Sequence, residues 1–379
     1  MKKINIAVFV SDVGFGHLVR QKEIVINLFK VFKNIRVTFF CRNNINILKA
    51  KFSFFKKKKY IFYQNNFNNI LLFNNKTGVL NKNKTLNFLK SWNKRVKKSL
   101  IIYNKKLKKF HIIISDLVPE IFCYAKINNK IAFGICHFTW DWFFSKIFKK
   151  EKIDQQISLM NDYNNLASKI YLPPFTPKEN LKILRNFKEV NFITDKKKKI
   201  SISKKVNNNV LIMDNGTGAI SDLISSTVPY IKNIEGYFFY IGITYLDKKT
   251  KILIENSDNM IMINKNLKTM YSYIPKVDYV VARAGFNTIT ECLIYKKPSL
   301  LMGEKNNPEI LENLKNMSSK NLCFELKKNN FGKNFLKTLK LFEKKKKKIE
   351  LNLYKSNFQY NGAMQIAKDI KKIFFQKSK

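Results

Sequence analysis

The sequence predicts an α/β protein made of two Rossmann-like domains, whose parallel sheets face each other across a cleft. The chain has 379 residues, about the length of two ordinary domains, and 45% of them are hydrophobic, which is enough for two buried cores. Short apolar runs alternate with helical patterns through both halves, and this alternation is typical of parallel sheets covered by helices. In each half, a glycine turn closely follows the first apolar run.

The first half opens with a strand, a turn and a helix. The apolar run Ile4–Val10 suits a buried parallel strand. The turn at 14–17 reads G-F-G-H, and apolar residues then recur at helical spacing from Leu18 to Phe32. A second β-rich run occupies 36–41, so these elements form one βαβ unit.

The alternation then continues through the first half. Residues from about 85 to 110 predict one long basic helix. The run 111–114 predicts a strand that ends at Ser115-Asp116, and Pro119 favours a helix start because the first turn does not need its missing N–H. The run 131–135 predicts another strand, and the aromatic stretch 137–142 follows it.

A charged and polar stretch near 194–209 predicts a linker. We therefore expect a first domain at 1–195, a linker at 196–209 and a second domain at 210–358. A final helical segment at 359–379 can cross back to the first domain. The second domain restarts the alternation, with strands predicted at 210–213, 237–241, 260–263, 279–281, 299–302 and 322–324.

The charge of the chain is strongly positive. Lysine and arginine number 72 against 26 acidic residues, which gives +46 and favours an anionic partner. Lysine is spread throughout beside abundant asparagine, isoleucine and phenylalanine, so a compositional drift is an alternative source of the charge. No spacing typical of zinc fingers, helix-turn-helix motifs or RNA-recognition motifs occurs, and we predict no specific nucleic-acid partner. An anionic membrane surface stays open as a peripheral partner.

The cysteines and the hydropathy pattern exclude several classes of protein. The 5 cysteines lie far apart without a C-x-x-C pair, which excludes zinc ribbons and thioredoxin chemistry, and we expect no metal site. No apolar run reaches the roughly 18 residues of a membrane span. The apolar start imitates a signal peptide, but Asp12 follows it directly. The predicted location is the cytoplasm, with contact at the inner face of the membrane allowed.

Two polar groups follow strands of the first half, at the edge of a parallel sheet where ligands bind. His17 follows the glycine turn and is a candidate general base, and Asp116 ends a later strand and could orient the imidazole. The alternatives are a packing or capping role for His17 and a helix N-cap role for Asp116. The aromatic stretch suits a sugar ring or an apolar acceptor, or else it closes the core as an anchored loop. Its candidate contacts are His137, Thr139, Trp140 and Asp141.

The second half carries two glycine turns. The first is Gly216-Thr217-Gly218, and the second leads into a helix whose N-terminus would take a diphosphate. Arg283 would add positive charge, and Glu291 could accept both ribose hydroxyls. The alternative for Glu291 is a capping box with Thr288.

Together these motifs resemble the MurG-like glycosyltransferases of family 28, which have the GT-B fold. Residues 14–20 read G-F-G-H-L-V-R and resemble the G-x-G-H-x-x-R turn of the acceptor half. Residues 283–291 read R-A-G-F-N-T-I-T-E and resemble the A-G-x-x-T-x-x-E signature of the donor half, which a Pro-led strand follows here at 297–301. The stretch 309–313 resembles the acidic and Asn end of the E-Q-x-x-N-A loop.

A narrower likeness is to an uncharacterised branch with an F-T-W-D-W motif, found here at 138–142. That branch includes the N-terminal segment of L-arabinokinase-type proteins. The sequence N-G-A at 361–363 also resembles a pattern near the C-terminus of that family. The likeness spans about residues 4 to 370.

The resemblance implies an inverting, metal-independent transfer from a nucleotide sugar, UDP-linked by expectation, with no cofactor. The first domain would then bind the acceptor and the second the donor. In the first domain, His17 and Asp116 would be catalytic, and the acceptor contacts would be Gly14, Gly16, Arg20, His137, Thr139, Trp140 and Asp141. The implied donor site comprises Gly216, Thr217, Gly218, Arg283, Gly285, Asn287, Thr288, Glu291, Glu309 and Asn313. Two positions depart from the family, with Ile310 in place of the Gln that contacts the sugar and Leu314 in place of Ala.

The predicted reaction is attack of an acceptor hydroxyl, lipid-linked or free, on the anomeric carbon of a hexose-type donor. Three alternatives remain open from the sequence. One is a nucleotide-sugar hydrolase on the same fold, and a second is a non-catalytic protein that binds anionic surfaces. The third is a degenerate transferase that acts as a scaffold, which the isoleucine at position 310 would explain.

Overall fold

The structure is a computed structural model. It describes residues 3–11, 16–41, 60–63, 79–194, 208–214, 218–243, 245–263 and 267–377. Three predicted site residues, Gly14, Gly216 and Thr217, lie outside the described residues, as does most of the predicted linker. The chain divides into two compact units. One comprises Met1–Leu72, Asn81–Asp195 and Gln359–Lys379, and the other comprises Phe73–Leu80 and Lys196–Phe358.

The first unit contains a seven-stranded sheet in the order β3-β2-β1-β4-β5-β6-β7, and every pair in it is parallel. Its central strands are apolar on both faces, as expected for a sheet covered by helices. The strands are β1 (Ile4–Val10), β2 (Ile35–Phe40), β3 (Tyr60–Tyr63), β4 (Ile112–Asp116), β5 (Ile131–Ile135), β6 (Lys169–Leu172) and β7 (Phe187–Glu189).

Helices connect these strands in chain order. They are α1 (Gly16–Val31), α2 (Lys82–Lys90), α3 (Trp92–Lys106), α4 (Glu120–Ile127), α5 (Trp140–Ile147), α6 (Asp154–Asn164) and α7 (Lys178–Ile183). The single helix predicted near 85–110 is therefore wrong. Ser91 ends α2, because its N–H bonds back to Phe88 and Leu89 and its side chain bonds to the Phe88 carbonyl, and α3 begins at the next residue.

The second unit contains a six-stranded parallel sheet in the order β10-β9-β8-β11-β12-β13. Its strands are β8 (Asn208–Met213), β9 (Tyr237–Gly242), β10 (Met260–Met262), β11 (Tyr279–Arg283), β12 (Ser299–Met302) and β13 (Phe324–Leu326). Its helices are α8 (Ser221–Ile231), α9 (Lys248–Glu255), α10 (Leu267–Tyr273), α11 (Phe286–Ile294), α12 (Pro308–Ser319) and α13 (Phe335–Lys355).

The two parallel sheets confirm the predicted α/β fold class. Several strand bounds differ from the prediction by one or two residues. The last strand begins at Phe324 rather than at 322, and residues 208–209 of the predicted linker already belong to β8. None of the described helices combines the length and the apolar character that crossing a membrane requires.

The last helix, α14 (Gly362–Lys377), packs in the first unit. Ala363, Ile366, Ala367 and Ile370 line one face and join the core formed with β1, β2 and α1. On another face, Asp369 accepts a hydrogen bond from the Tyr171 hydroxyl at 3.0 Å and pairs with Lys188 at 3.1 Å. The helix therefore contributes both apolar and ionic contacts to this unit.

The entry to α14 is a tight backbone contact. Gly362 donates its N–H to the Phe192 carbonyl at 3.1 Å, and Ile193 forms an antiparallel bridge with Asn361. A Cβ atom at position 362 would overlap the carbonyl of Asn191. The asparagine–glycine pair at 361–362 thus has a physical reason, because no side chain fits where the helix meets the end of the first unit.

We expect Gly362→Ala to destabilise the protein by about 2 kcal/mol or more, because the added methyl must push backbone against backbone. Thermal or urea unfolding measures the change. The control is Lys368→Ala on the exposed side of the same helix, which should change stability little. Equal stability of Gly362→Ala and the control would contradict this account of the contact.

Glu120 is a buried acid of the first unit that forms no ion pair with a described residue. Glu120 begins α4 and is 4% exposed, and none of the described donors reaches its Oε2 atom. Burial raises the pKa of Glu120 from 4.5 to about 7, partly opposed by a backbone hydrogen bond. Burial raises the pKa of Tyr103 and of Tyr163, and the charge of Glu120 adds to both shifts.

The raised pKa of Glu120 predicts a stability that depends on pH. Between about pH 4.5 and 7 the unfolded chain ionises this carboxyl while the folded chain keeps it protonated, so stability falls as the pH rises through this window. Glu120→Gln should not show this loss. The difference in free energy of unfolding between the variant and the wild type should shift in favour of the variant by up to about 3 kcal/mol from pH 4 to pH 8. Urea unfolding at both pH values measures it, with exposed Glu151→Gln as the control. A gain that is the same at both pH values would contradict the buried-acid account.

Candidate functional site

The candidate site of the first unit lies at the carboxyl ends of two neighbouring strands. Strands β1 and β4 pair so that Val10 lies opposite Asp116, and the Ser11 N–H bonds to the Asp116 carbonyl at 3.1 Å. Helix α1 begins just after β1, at Gly16. Because both strands end at the same edge of the sheet, the start of α1 lies beside the last residue of β4.

This arrangement joins the two predicted catalytic residues. The Nδ1 atom of His17 lies 2.8 Å from Oδ1 of Asp116, and both side chains are buried. Asp116 is the last residue of β4, whereas the N-cap of α4 is Pro119, so the N-cap alternative for Asp116 is wrong. The turn between them is held instead by Ser115, whose Oγ bonds to both backbone groups of Val118.

Two more residues of α1 bind the same carboxylate. Arg20 donates from Nε to Oδ2 at 3.0 Å and from Nη2 to Oδ1 at 2.6 Å, which is a bidentate ion pair. Gln21 donates from Nε2 to Oδ2 at 2.9 Å. Both oxygens of Asp116 are therefore bound by donors from one helix. The sequence prediction gave Arg20 a contact with the acceptor and did not include Gln21.

These contacts decide the charge of Asp116. Its complete burial alone would raise its pKa, but the Arg20 guanidinium and the His17 imidazole outweigh that effect and hold the pKa below its usual range. Asp116 is therefore an ionised carboxylate at neutral pH. In that state it can only accept hydrogen bonds.

His137 also belongs to this group. It follows β5, and its Nδ1 atom lies 3.3 Å from Nη1 of Arg20. The guanidinium of Arg20 thus lies between two imidazoles, since its Nη2 atom is 2.9 Å from Nδ1 of His17. Four of the predicted residues of the first domain, His17, Arg20, Asp116 and His137, form one buried polar cluster.

The aromatic stretch after β5 lies in the interior. Trp140 is 1% exposed and donates its indole N–H to the Leu117 carbonyl at 2.9 Å. Leu117 has a φ of 57°, a left-handed conformation that is rare for a branched side chain and needs support from its surroundings. The indole therefore fixes the turn that follows Asp116.

Thr139 and Asp141 also have internal partners. Asp141 accepts a hydrogen bond from Asn164 at 3.0 Å, and Thr139 accepts one from Asn180. Burial raises the pKa of Asp141 to about 6, although the hydrogen bonds to its carboxylate oppose this. These contacts fit the alternative of an anchored aromatic loop. The sequence prediction did not identify the two asparagines, which come from distant helices.

In the second unit, Gly218 is the described residue of the first glycine turn, and its backbone bonds to Asp214. Gly218 has a φ of 71°, which favours glycine, and its N–H donates to Oδ2 of Asp214 at 3.2 Å. Asp214 follows β8 directly. The turn therefore closes on itself through this bond at the carboxyl end of a strand.

The second glycine turn opens α11, with Gly285 as N-cap and no side-chain cap. Thr288 lies in the first turn of the helix and Glu291 in the second, so the capping-box alternative is wrong, because a capping box needs Thr288 at the N-cap. Both are buried, while Asn287 is partly exposed. Thr288 also bonds to the Tyr271 hydroxyl, whose pKa burial raises.

Arg283 and Asn313 hold the same turn from two sides. Arg283 ends β11 and donates from Nη1 to Oε2 of Glu304 at 2.6 Å. Asn313 donates from α12 to the Ala284 carbonyl at 3.1 Å. Glu309 is partly buried at the start of α12, and the next residue, Ile310, is 1% exposed. Glu304 was not predicted, since no spacing in the sequence links it to Arg283.

Within the described ranges, no group of three or more His, Cys, Asp or Glu side chains is arranged to hold a metal ion. The cationic and amide groups near Asp116 and those near the turn before α11, together with the N-terminus of α11, suit anionic and hydroxyl-bearing ligands instead.

Comparison with known proteins agrees with this fold. Residues 215–371 match the model of the glycosyltransferase family 28 C-terminal domain. Among solved structures, the glycotransferase of kitacinnamycin aligns with a TM-score of 0.70 at 12% identity, covering 98% of this chain and 99% of that one. MurG of Acinetobacter baumannii aligns with a TM-score of 0.59 at 14% identity, covering 98% and 100%. A UDP-glucose:anthocyanidin 3-O-glucosyltransferase in complex with UDP gives 0.66 at 13%, covering 97% and 95%.

The three matches among curated proteins have a different character, and all are the same co-chaperone from three strains. The co-chaperone HscB of Buchnera aphidicola subsp. Acyrthosiphon pisum (strain Tuc7) is 31% identical over 138 residues, which is 35% of this chain and 68% of the co-chaperone. Identity over a third of a chain this rich in lysine, asparagine, isoleucine and phenylalanine follows easily from composition. The structural matches cover nearly the whole chain instead.

The chain therefore has the GT-B fold of these solved structures, and its residues 215–371 match the model of the glycosyltransferase family 28 C-terminal domain.

Proposed function

We propose that the protein transfers a hexose-type sugar from a nucleoside-diphosphate sugar, with UDP as the expected carrier, to a hydroxyl of an acceptor. The observation that carries the proposal is the 2.8 Å contact between His17 and the ionised Asp116 at the carboxyl ends of β1 and β4. A base of this kind suits the deprotonation of a hydroxyl. The family 28 match and solved relatives that include a UDP-glucose-dependent enzyme support the donor class.

The first step of the proposed mechanism is the orientation of the base. Nδ1 of His17 lies within hydrogen-bonding distance of the Asp116 carboxylate, which is an acceptor, and of the Arg20 guanidinium, which is a donor. Arg20 already donates hydrogen bonds to both oxygens of Asp116. We assign the proton to Nδ1, where the carboxylate accepts it. Nε2 is then unprotonated and can take a proton from the acceptor hydroxyl.

The chemical step is then a single displacement. As the acceptor oxygen attacks the anomeric carbon, its proton passes to Nε2 of His17 and the bond to the nucleoside diphosphate breaks. The electron pair of that bond leaves with the diphosphate, and the configuration at the anomeric carbon inverts. Asp116 stabilises the imidazolium that forms, as a buried carboxylate does in catalytic triads.

Arg20 and Gln21 have positioning roles in this proposal. They hold both oxygens of Asp116, so they keep Oδ1 directed at the imidazole. We assign Trp140, Thr139 and Asp141 to the support of the turn after Asp116, because their polar atoms bond inside the unit. His137, with Gly14 and Gly16, stays in the proposed acceptor contact.

The donor is proposed to bind the second unit. The backbone N–H groups at the start of α11, together with Gly285, would bind the diphosphate and stabilise it as a leaving group. Glu291 would accept the ribose hydroxyls. Gly218 would approach the phosphates with its turn, whose other residues, Gly216 and Thr217, lie outside the described residues.

Location and surface contacts also remain part of the proposal. The run 344–348 of lysines lies on α13, and four of its five side chains are exposed. Such a surface suits contact with an anionic membrane from the cytoplasmic side. The corresponding runs at 56–59 and 196–199 lie outside the described residues. The acceptor itself, lipid-linked or free, is left open.

We expect His17→Ala to lower kcat by about 10² to 10⁴-fold while the affinity for the nucleotide stays within about two-fold, since a base acts in the transition state alone. Initial rates with saturating nucleotide sugar and calorimetric titration with UDP measure the two quantities. The control is His111→Ala, because His111 accepts a hydrogen bond from the Asn5 N–H at the opposite end of β4. Equal losses of rate and affinity would refute a base role for His17, and free sugar released without acceptor would identify a hydrolase.

Glu291→Gln should weaken UDP binding about ten-fold, because a neutral amide binds ribose hydroxyls less strongly than a carboxylate does. Calorimetric titration of the variant with UDP, GDP and dTDP tests this. Glu325→Gln on the exposed side of β13 is the control. If the nucleotide affinity is unchanged and only the melting temperature falls, Glu291 has a packing role and the donor site must be placed elsewhere.

A further inference from the structure

The second unit contains an ion pair that neither the sequence prediction nor the proposed mechanism uses. Arg283 is the last residue of β11, and Glu304 follows the neighbouring strand β12 by two residues. Their side chains are 9% and 12% exposed and meet at 2.6 Å through Nη1 and Oε2. Because Arg283 lies opposite Met302 in the register, the pair sits at the carboxyl edge of the sheet, beside the start of α11.

Only one of the two carboxylate oxygens of Glu304 is used. Oε2 binds Arg283, but Oε1 is buried and meets no hydrogen-bond donor of the described residues. A buried acceptor without a donor costs a free energy on the order of one hydrogen bond. A native protein therefore keeps such an acceptor when a ligand or another group supplies the donor. The Oε1 atom therefore points to a missing donor.

The chemistry of a nucleotide sugar limits what that donor is. A carboxylate accepts hydrogen bonds and a phosphate at neutral pH offers none, so the diphosphate is excluded as a partner of Oε1. In the proposed function, Glu291 takes the ribose hydroxyls. The hydroxyls of the transferred sugar are the largest remaining set of donors. The positive charge of Arg283, already paired with Glu304, keeps this acceptor from being a bare buried anion.

The residue at the start of α12 agrees with this assignment. The resemblance described above implies a sugar-contacting Gln at the position of Ile310. Ile310 is 1% exposed and apolar, so it offers no hydrogen bond and lies in the core. A sugar held in this unit therefore needs another acceptor, and Glu304 supplies one from the neighbouring loop.

We propose that Glu304, held by Arg283, binds a hydroxyl of the donor sugar and selects a neutral sugar over an acidic one. This inference rests on the proposed function. The carboxylate accepts a hydrogen bond from a hydroxyl through Oε1, and it repels a sugar that carries its own carboxylate. The loop at 303–307 is then a specificity element of this chain.

The test compares a nucleotide with its sugar conjugates. The probes for calorimetric titration are UDP, UDP-glucose, UDP-N-acetylglucosamine and UDP-glucuronic acid. The affinity for each conjugate divided by the affinity for UDP is the sugar-dependent gain. GDP and GDP-mannose replace these probes if GDP is the nucleotide that binds. For the wild type, we expect at least one neutral sugar conjugate to bind more tightly than the nucleotide alone, and UDP-glucuronic acid to bind no more tightly.

Glu304→Gln should lower the sugar-dependent gain about ten-fold and leave the affinity for UDP within about three-fold. It should also remove the discrimination against UDP-glucuronic acid. Glu304→Asp keeps the charge but withdraws the oxygen by one methylene, and it should lose the gain while still disfavouring the acidic sugar. The matched control is Glu312→Gln on α12, where Glu312 accepts a hydrogen bond from Asn316 and should leave every affinity unchanged.

Three results would overturn the inference. An unchanged sugar-dependent gain in both Glu304 variants would show that another residue binds the sugar. An equal loss for UDP and its conjugates would show that Glu304 only positions Arg283 or contacts the nucleotide. If the folded wild type binds none of the nucleotides, the proposed function itself fails, and the role of Glu304 fails with it.

Discussion

The buried carboxylate of Asp116 is the constraint on which the first unit depends. An ionised group that is 0% exposed costs several kcal/mol unless donors replace its water. His17, Arg20 and Gln21 supply those donors from positions i, i+3 and i+4 of one helix, which lie on one helical face. The orientation of α1 against β4 and the orientation of the proposed base are therefore fixed by the same set of hydrogen bonds.

The sequence predicted much of the fold because parallel strands buried on both faces read as apolar runs. Strands Ile4–Val10, Ile131–Ile135 and Ser299–Met302 have the predicted bounds. The short strands Tyr60–Tyr63, Lys169–Leu172 and Phe187–Glu189 were missed. The last of these is exposed at the edge of its sheet, so it lacks the apolar signal on which the prediction relied.

The candidate site was predictable to the extent that its residues follow strands. His17 and Asp116 were identified in this way, and the pairing of β1 with β4 joins them. The spacing of Arg20 and Gln21 from His17 on one helix was a readable signal for their shared partner. Asn164, Asn180 and Glu304 carried no such signal, because their contacts depend on how distant loops pack, which local sequence does not encode.

The central claim is that His17 carries its proton on Nδ1 and leaves Nε2 free as a base. The chain has only 3 histidines, so nitrogen NMR of a ¹⁵N-histidine-labelled protein resolves each ring at a pH where the imidazoles are neutral. We expect a protonated Nδ1 and an unprotonated Nε2 for His17, with this preference weakened in Asp116→Asn. A His17 ring protonated on Nε2 in the wild type would contradict the account, because such a ring accepts from Arg20 and has no lone pair to offer an acceptor hydroxyl.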